Sequence, residues 1–264
     1  MPPMPTWDAS LLFAAFDLAA VAIFAITGAL VASRKQMDIF GFAMLGTATG
    51  IGGGTVRDVL LGQPVFWIEE PIYLVACVVA ASITFFTAHL LHSRYRAILW
   101  LDALGLAVYC VIGAEKALAL GAAPLVAVVM GVVTASFGGI IRDILGGEVP
   151  LLLRRDVYVT AALTGALLFV LGHAAGLSDA AAWTLGALSC LTVRSLALVF
   201  AWSLPAYKAR PGRTPDELAA LGLWHPDHPP ATGPADPRTD PPGPDAAPTR
   251  PDTAPPPLQP RSPT

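Results

Sequence analysis

The chain has 264 residues, 55% of them hydrophobic and only 13% charged, and a formal charge of −3. Soluble domains carry about 25% charged residues, so this composition, with a mean hydropathy of +0.62, excludes a soluble globular domain. The near balance of charge and the lack of a basic stretch interleaved with aromatics give no footing for nucleic acid.

In chain order, the opening MPPMPTWDAS lacks a positive leader region and carries Asp8. It reads as a short N-terminus over residues 1–10, not as a cleaved signal. Apolar runs then fall at about 11–32, 38–61, 71–91, 97–118, 123–146, 156–174 and 178–203. A membrane span needs about 20 predominantly apolar residues, so these runs predict an all-α membrane protein with seven transmembrane helices. Arg34 and Lys35 follow the first run, Arg94 and Arg96 the third, and Lys208, Arg210 and Arg213 the seventh, while Arg154 and Arg155 precede the sixth. The alternate connections hold Glu69 and Glu70, Glu115 with Lys116, or Asp179. All the basic clusters fall on one side, which places the N-terminus outside and the C-terminus in the cytoplasm.

Cys77, Cys110 and Cys190 lie in three different runs, a spacing that suits helix packing and neither a disulfide framework nor a zinc site. His89 and His92, at the end of the third run, read as interfacial, and Glu115 and Lys116 as a solvated turn. Arg194, midway along the seventh run, calls for a carboxylate partner. Residues 206–264 are rich in proline, small residues and mixed charge. They hold too little apolar surface to offset the entropy of ordering, which predicts a disordered cytoplasmic tail. Within it, Thr214–Trp224 has the pattern of a short amphipathic helix.

The stretch TATGIGGGTVRDVLLGQP (Thr47 to Pro64) is unusual for an apolar run, and it has an echo in TASFGGIIRDILGGEVP (Thr134 to Pro150). An offset of 85 residues carries Arg57 onto Arg142, Asp58 onto Asp143, and Gly53 and Gly54 onto Gly138 and Gly139. It also carries Asp17 onto Asp102, Gly28 onto Gly113 and Tyr73 onto Tyr158; only the proline slips, by one position. The chain is two repeats, residues 11–91 and 97–174, followed by a seventh helix over 178–203. Three spans per repeat reverse the second copy in the membrane, giving an inverted repeat of the kind found in transport proteins.

In lipid, irregular backbone is tolerated only where it is buried in protein or lines a wet cavity. Gly52, Gly53 and Gly54, with Gly138 and Gly139, therefore read either as kinks or breaks that expose carbonyls to a cation or as close-packing positions. Adjacent residues on a helix point about 100° apart. That geometry predicts ion pairs between repeats, Arg57 with Asp143 and Arg142 with Asp58, rather than within each Arg-Asp pair. Asp17 and Asp102 are open to two readings, as vestibule residues or as interfacial ones. GIGGGTVRD lacks the GK[ST] of a phosphate-binding loop and the third glycine of a dinucleotide fingerprint. With no nucleophile and base in view, the sequence points to no enzyme, cofactor or metal site.

The paired GGGTVRDVLLGQP and GGIIRDILGGEVP segments in a three-plus-three-plus-one chain resemble the prokaryotic trimeric intracellular cation (TRIC) channel homologues, also called the glycine transporter domain family. The resemblance covers about residues 10–203. It implies a homotrimer in a prokaryotic inner membrane, with one pore per subunit permeable to monovalent cations, chiefly potassium. The family's kinked second and fifth helices then map onto Gly52–Gly54 and Gly138–Gly139, and its charged motif onto Arg57, Asp58, Arg142 and Asp143. Here the second motif has Phe137 before its two glycines. The competing reading is a carrier of glycine or another small zwitterion, with Arg57 or Arg142 as carboxylate ligands.

Overall fold

The computed structural model describes residues 9–154, 156–203, 217 and 220–222. The chain divides into two units, Met1–Ala206 and Tyr207–Thr264, and every helix discussed below belongs to the first. Residues 1–8, the cluster Lys208, Arg210 and Arg213, and nearly all of the tail lie outside the described residues, and so does most of Thr214–Trp224.

Among the described residues, eight α-helices build the first unit: α1 (Ala9–Arg34), α2 (Ile39–Leu60), the one-turn α3 (Phe66–Glu69), α4 (Ile72–Thr87), α5 (Arg94–Ala119), α6 (Pro124–Leu145), α7 (Val159–Ala174) and α8 (Asp179–Phe200). The only strand-like pairing among the described residues is an isolated antiparallel bridge between Asp156 and Ser203. The duplication is visible in the helix boundaries, since α5 begins and ends 85 residues after α1, and α6 likewise after α2. Among the described residues, six helices are long and apolar enough to cross a membrane, α4 being counted with the 3-10 turn that extends it to Leu90. Besides the one-turn α3, the exception is α7, which has 16 residues, a rise of about 24 Å. Its run was expected from residue 156, but the bridge at Asp156 and a 3.1 Å hydrogen bond from Arg194 Nη1 to the Val157 carbonyl hold those residues outside the helix.

Helix α1 packs on α2, α4 and α5; α5 packs in turn on α6, α7 and α8; and α2 meets α6 across the repeats. The connections are set by local chemistry. Asp38 caps α2 by accepting from Gly41 N at 2.7 Å, and Pro124 opens α6 at a position where its missing N–H costs nothing. Both α2 and α6 finish in a left-handed glycine, Gly62 at φ +65° and Gly147 at φ +62°. At the first, Gln63 N bonds the Asp58 carbonyl at 2.8 Å and Gly62 N the Val59 carbonyl at 3.2 Å. Glu148 and Gly147 repeat these bonds onto Asp143 and Ile144. Each helix thus closes in a Schellman turn that satisfies its last carbonyls.

Helices α2 and α6 run without a break through their glycines. The glycines instead let the two backbones touch: a Cβ on Gly53 would collide with the Thr134 carbonyl, and one on Gly138 would lie 2.6 Å from the Thr49 carbonyl. A second reciprocal pair flanks the crossing, Gly28 against Thr49 and Gly113 against Thr134. Of the two roles open to these residues, close packing is the one this geometry supports. The three cysteines are free and buried. The Cys77 thiol sits against Gly50, and Cys110 and Cys190 both meet Gly165, so they serve as small packing residues.

These contacts separate two kinds of glycine. Gly62 faces open space, so Gly62→Ala carries only the strain of a left-handed backbone, about 1–2 kcal/mol. Gly53→Ala must push α2 off α6. Thermal unfolding in detergent is expected to show a clearly larger fall in Tm for Gly53→Ala than for Gly62→Ala.

Candidate functional site

Asp58 and Asp143 occupy the last turns of α2 and α6, where the helix dipole presents its negative end and disfavours a carboxylate. Both are buried, and a bare charge in a membrane interior costs about 2.5–3.5 kcal/mol even on lenient scales. Each is compensated in the same way. Arg57 Nε donates to Asp58 Oδ1 at 2.8 Å, and Arg142 Nε to Asp143 Oδ1 at 2.8 Å. The second carboxylate oxygen accepts a backbone N–H eight residues on, from Phe66 at 3.0 Å and from Leu151 at 2.9 Å. The Arg-Asp pair therefore fastens the returning chain to the end of its own helix.

The expected pairing between repeats is not formed. Arg57 reaches its neighbour because the 100° rule fixes where Cβ points, not how far a long, flexible side chain can fold back. The two clusters are also too far apart to exchange partners. Asp58 lies where α2 and α5 end, bonded to Lys116; Asp143 lies where α1 and α6 end, beside the 2.9 Å Arg34–Glu148 bridge. Those are opposite ends of α5, because Arg94 at its start bonds the Ser33 carbonyl of α1. Arg154, bonded to Tyr95 Oη at 2.8 Å, joins Arg34 and Arg94 at that same end.

Around this shared motif the two clusters differ. Arg142 Nη1 also binds Asp102 Oδ1 at 2.6 Å and Thr27 Oγ1 at 3.1 Å, and Arg142, Asp102 and Asp143 are all shut off from solvent. In the first repeat the counterpart of Asp102 is Asp17, which takes a 3.0 Å hydrogen bond from Tyr73 and stays half-buried. Asp58 instead gains Lys116, at 2.8 Å on the same Oδ1 that Arg57 uses. Asp17 and Glu115 line a cavity of about 180 Å³ with Trp183. Glu115 also borders one of about 220 Å³ with His173 and Asp179. The first-repeat cluster thus has a partly exposed member, Lys116, whereas the second is sealed.

Between the clusters lies the α2–α6 crossing. Gly52 meets Ile141, the ring of Phe66 covers Gly54, and Tyr158 Oη, Asp102 and Arg142 surround Gly139. Phe24 and Tyr109, themselves 85 residues apart, stack at 5.4 Å beside it. Glu115 and Lys116 are therefore not a solvated turn but part of α5 and of the site. Arg194 binds no carboxylate among the described residues; it holds the Val157 carbonyl and lies 5.2 Å over the Tyr158 ring. His89 and His92 are exposed at the end of α4. Sequence reasoning missed Thr49 with Thr134, Phe24 with Tyr109, and Lys116. The 85-residue offset applied position by position finds the first two pairs. Lys116, which replaces Val31 of the first copy, shows only as a departure from the offset.

The family model described as a glycine transporter matches residues 14–89 and again 99–174, displaced by the same 85 residues. The chain belongs to this family. Its TRIC character is carried by solved structures. A TRIC trimeric intracellular cation channel orthologue from Rhodobacter sphaeroides is 53% identical, covering 72% of this chain and 99% of its own, with a TM-score of 0.71. A second TRIC cation channel is 32% identical, covering 76% of this chain and 100% of its own, with a TM-score of 0.69. A Vibrio cholerae membrane protein is 41% identical over 206 residues, 76% of this chain and 84% of the relative. The Escherichia coli K12 inner membrane protein YadS is 44% identical over 156 residues, 57% of this chain and 74% of its own. Like them, this TRIC-family chain is a membrane protein.

Double-mutant cycles test the pairing. Arg57→Ala with Asp58→Ala is expected to couple by more than about 1 kcal/mol in unfolding free energy, whereas Arg57→Ala with Asp143→Ala adds within about 0.5 kcal/mol.

Proposed function

We propose that the chain is a cation channel that passes monovalent cations, chiefly potassium, through a pathway inside each subunit of a homotrimer. Seven helices cross an inner membrane as two inverted three-helix repeats plus α8, with the N-terminus outside and the tail in the cytoplasm. The gathering of Arg34, Arg94 and Arg154 at one end of the helices supports that orientation. The observation that carries the channel reading is the pair of carboxylate clusters at the two ends of the α2–α6 crossing, in a chain 53% identical to a TRIC cation channel. A carboxylate at each end of a narrow passage raises the local concentration of cations and lowers that of anions. The glycine crossing, with Gly52–Gly54 and Gly138–Gly139, forms the constriction. No cofactor enters this scheme.

The family model's description keeps a second reading in play, a carrier of glycine or a similar zwitterion. That reading needs a guanidinium free to bind the substrate carboxylate, yet Arg57 and Arg142 are both committed to aspartates. Recording from the full-length protein in a planar bilayer with potassium on both sides decides between them. Discrete unitary currents, unchanged by added glycine, are expected. Electrical silence together with saturable glycine uptake into proteoliposomes identifies a carrier.

A further inference from the structure

The 85-residue offset also marks where the second copy departs from the first. Leu30 and Ala88 of the first copy are buried in one apolar cluster. The offset carries them onto Glu115 of α5 and His173 of α7, so an apolar pair in one copy is an acid and a base in the other. Both positions differ, and their residues still face one space. With Asp179, the first residue of α8, they line a cavity of about 220 Å³, and His173 and Asp179 both act electrostatically on Glu115. His173 Nδ1 stands 3.7 Å from Asp179 Oδ1, too far for a hydrogen bond, and the two side chains are 52% and 75% exposed. Of the helices packed on α7, α5 brings Glu115 and α8 brings Asp179. Helix α6 brings no titratable group to this end, and Lys116 is turned to Asp58. Glu115 is also the wall shared with the cavity of Asp17 and Trp183. The imidazole thus meets solvent on one side and, across a single carboxylate, the Asp17 cavity on the other.

Resting on the channel reading above, we propose that His173 is a proton sensor for this end of the pathway. Proton uptake puts a positive charge between Glu115 and Asp179 and lowers the cation concentration that these carboxylates and Asp17 maintain at the mouth. The sign follows from the imidazole. Neutral at high pH, it leaves the carboxylates their full attraction for cations. Over the interval from about pH 8 to about pH 5 it takes up its proton, closes on Asp179 as an ion pair and offsets Glu115. One added charge acting through water over about 10 Å changes the local cation concentration roughly twofold at low ionic strength. The equivalent positions at the other end are Leu30 and Ala88, which carry no charge. The response through these positions therefore belongs to one side of the membrane, the outside in the orientation proposed above.

The test records unitary potassium currents of the full-length wild type, His173→Gln and His173→Arg at low ionic strength, while each chamber in turn is taken from about pH 8 to about pH 5. In the wild type, acidifying one chamber is expected to lower the current roughly twofold, an effect that shrinks at high salt as screening sets in. His173→Gln is expected to match the wild type at the higher pH and to lose that fall. His173→Arg, which is charged throughout, is expected to carry the reduced current at both pH values. His89 and His92 stand at the opposite end, where Arg94 holds the Ala88 carbonyl, so any titration of theirs is read from the other chamber and persists in His173→Gln. A wild-type current that ignores pH in both chambers overturns the inference without recourse to a variant. An equal fall in His173→Gln, or a full current in His173→Arg, overturns it too, and all three results leave the channel reading standing. A folded wild type that carries no current overturns both.

Discussion

The fold depends on a carboxylate at the wrong end of a helix. Asp58 and Asp143 sit buried in the last turns of α2 and α6, where both desolvation and the helix dipole oppose a negative charge. Neither could stay there without the adjacent arginine and the backbone N–H that comes back to meet it. Those two partners tie three separate things together: the end of the helix, the turn through a left-handed glycine, and the start of the next segment. Helices α4 and α7 begin from positions set by that knot. The charges which mark a candidate pathway are thus also what shapes it, and a change to one cannot be read as purely functional.

Given two such helix ends, the middle follows from small side chains. Apolar side chains alone give little preference for one partner in lipid, so helices there associate through close approach. Gly53 and Gly138 let α2 and α6 meet backbone to backbone, and Gly28 and Gly113 do the same for α1 and α5 against the threonines of that crossing. The contacts are reciprocal because the sequence is duplicated. A close crossing flanked by two charged ends is the product of that duplication, and the divergence of the copies makes the two ends unequal.

Much of this was legible in the sequence. Hydropathy marks each long helix within a few residues, and the 85-residue offset marks the duplication. The kind of residue at the site was legible too, since glycines and an Arg-Asp pair have little business in an apolar run without a reason. Partnership was not. The 100° spacing of Arg57 and Asp58 says where each Cβ points, whereas the arginine Nε lies several rotatable bonds from the helix. Arg194 misled for a related reason: a buried guanidinium needs acceptors, and here it takes the Val157 carbonyl and the Tyr158 ring face in place of a carboxylate. Lys116 escaped because a charged residue near a predicted helix end looks the same in a solvated turn as in a site.

The distance from each aspartate to the amide it captures has a further consequence. Asp58 and Phe66 are eight residues apart, as are Asp143 and Leu151, although the proline between them stands at a different place in each copy. The intervening loop has been free to change its residues but not its length. An insertion of even one residue would slide the N–H past its carboxylate and release the knot. In this molecule the connection after α2 and α6 works as a ruler, and divergence between the copies has been confined to what can be written along a ruler of fixed length.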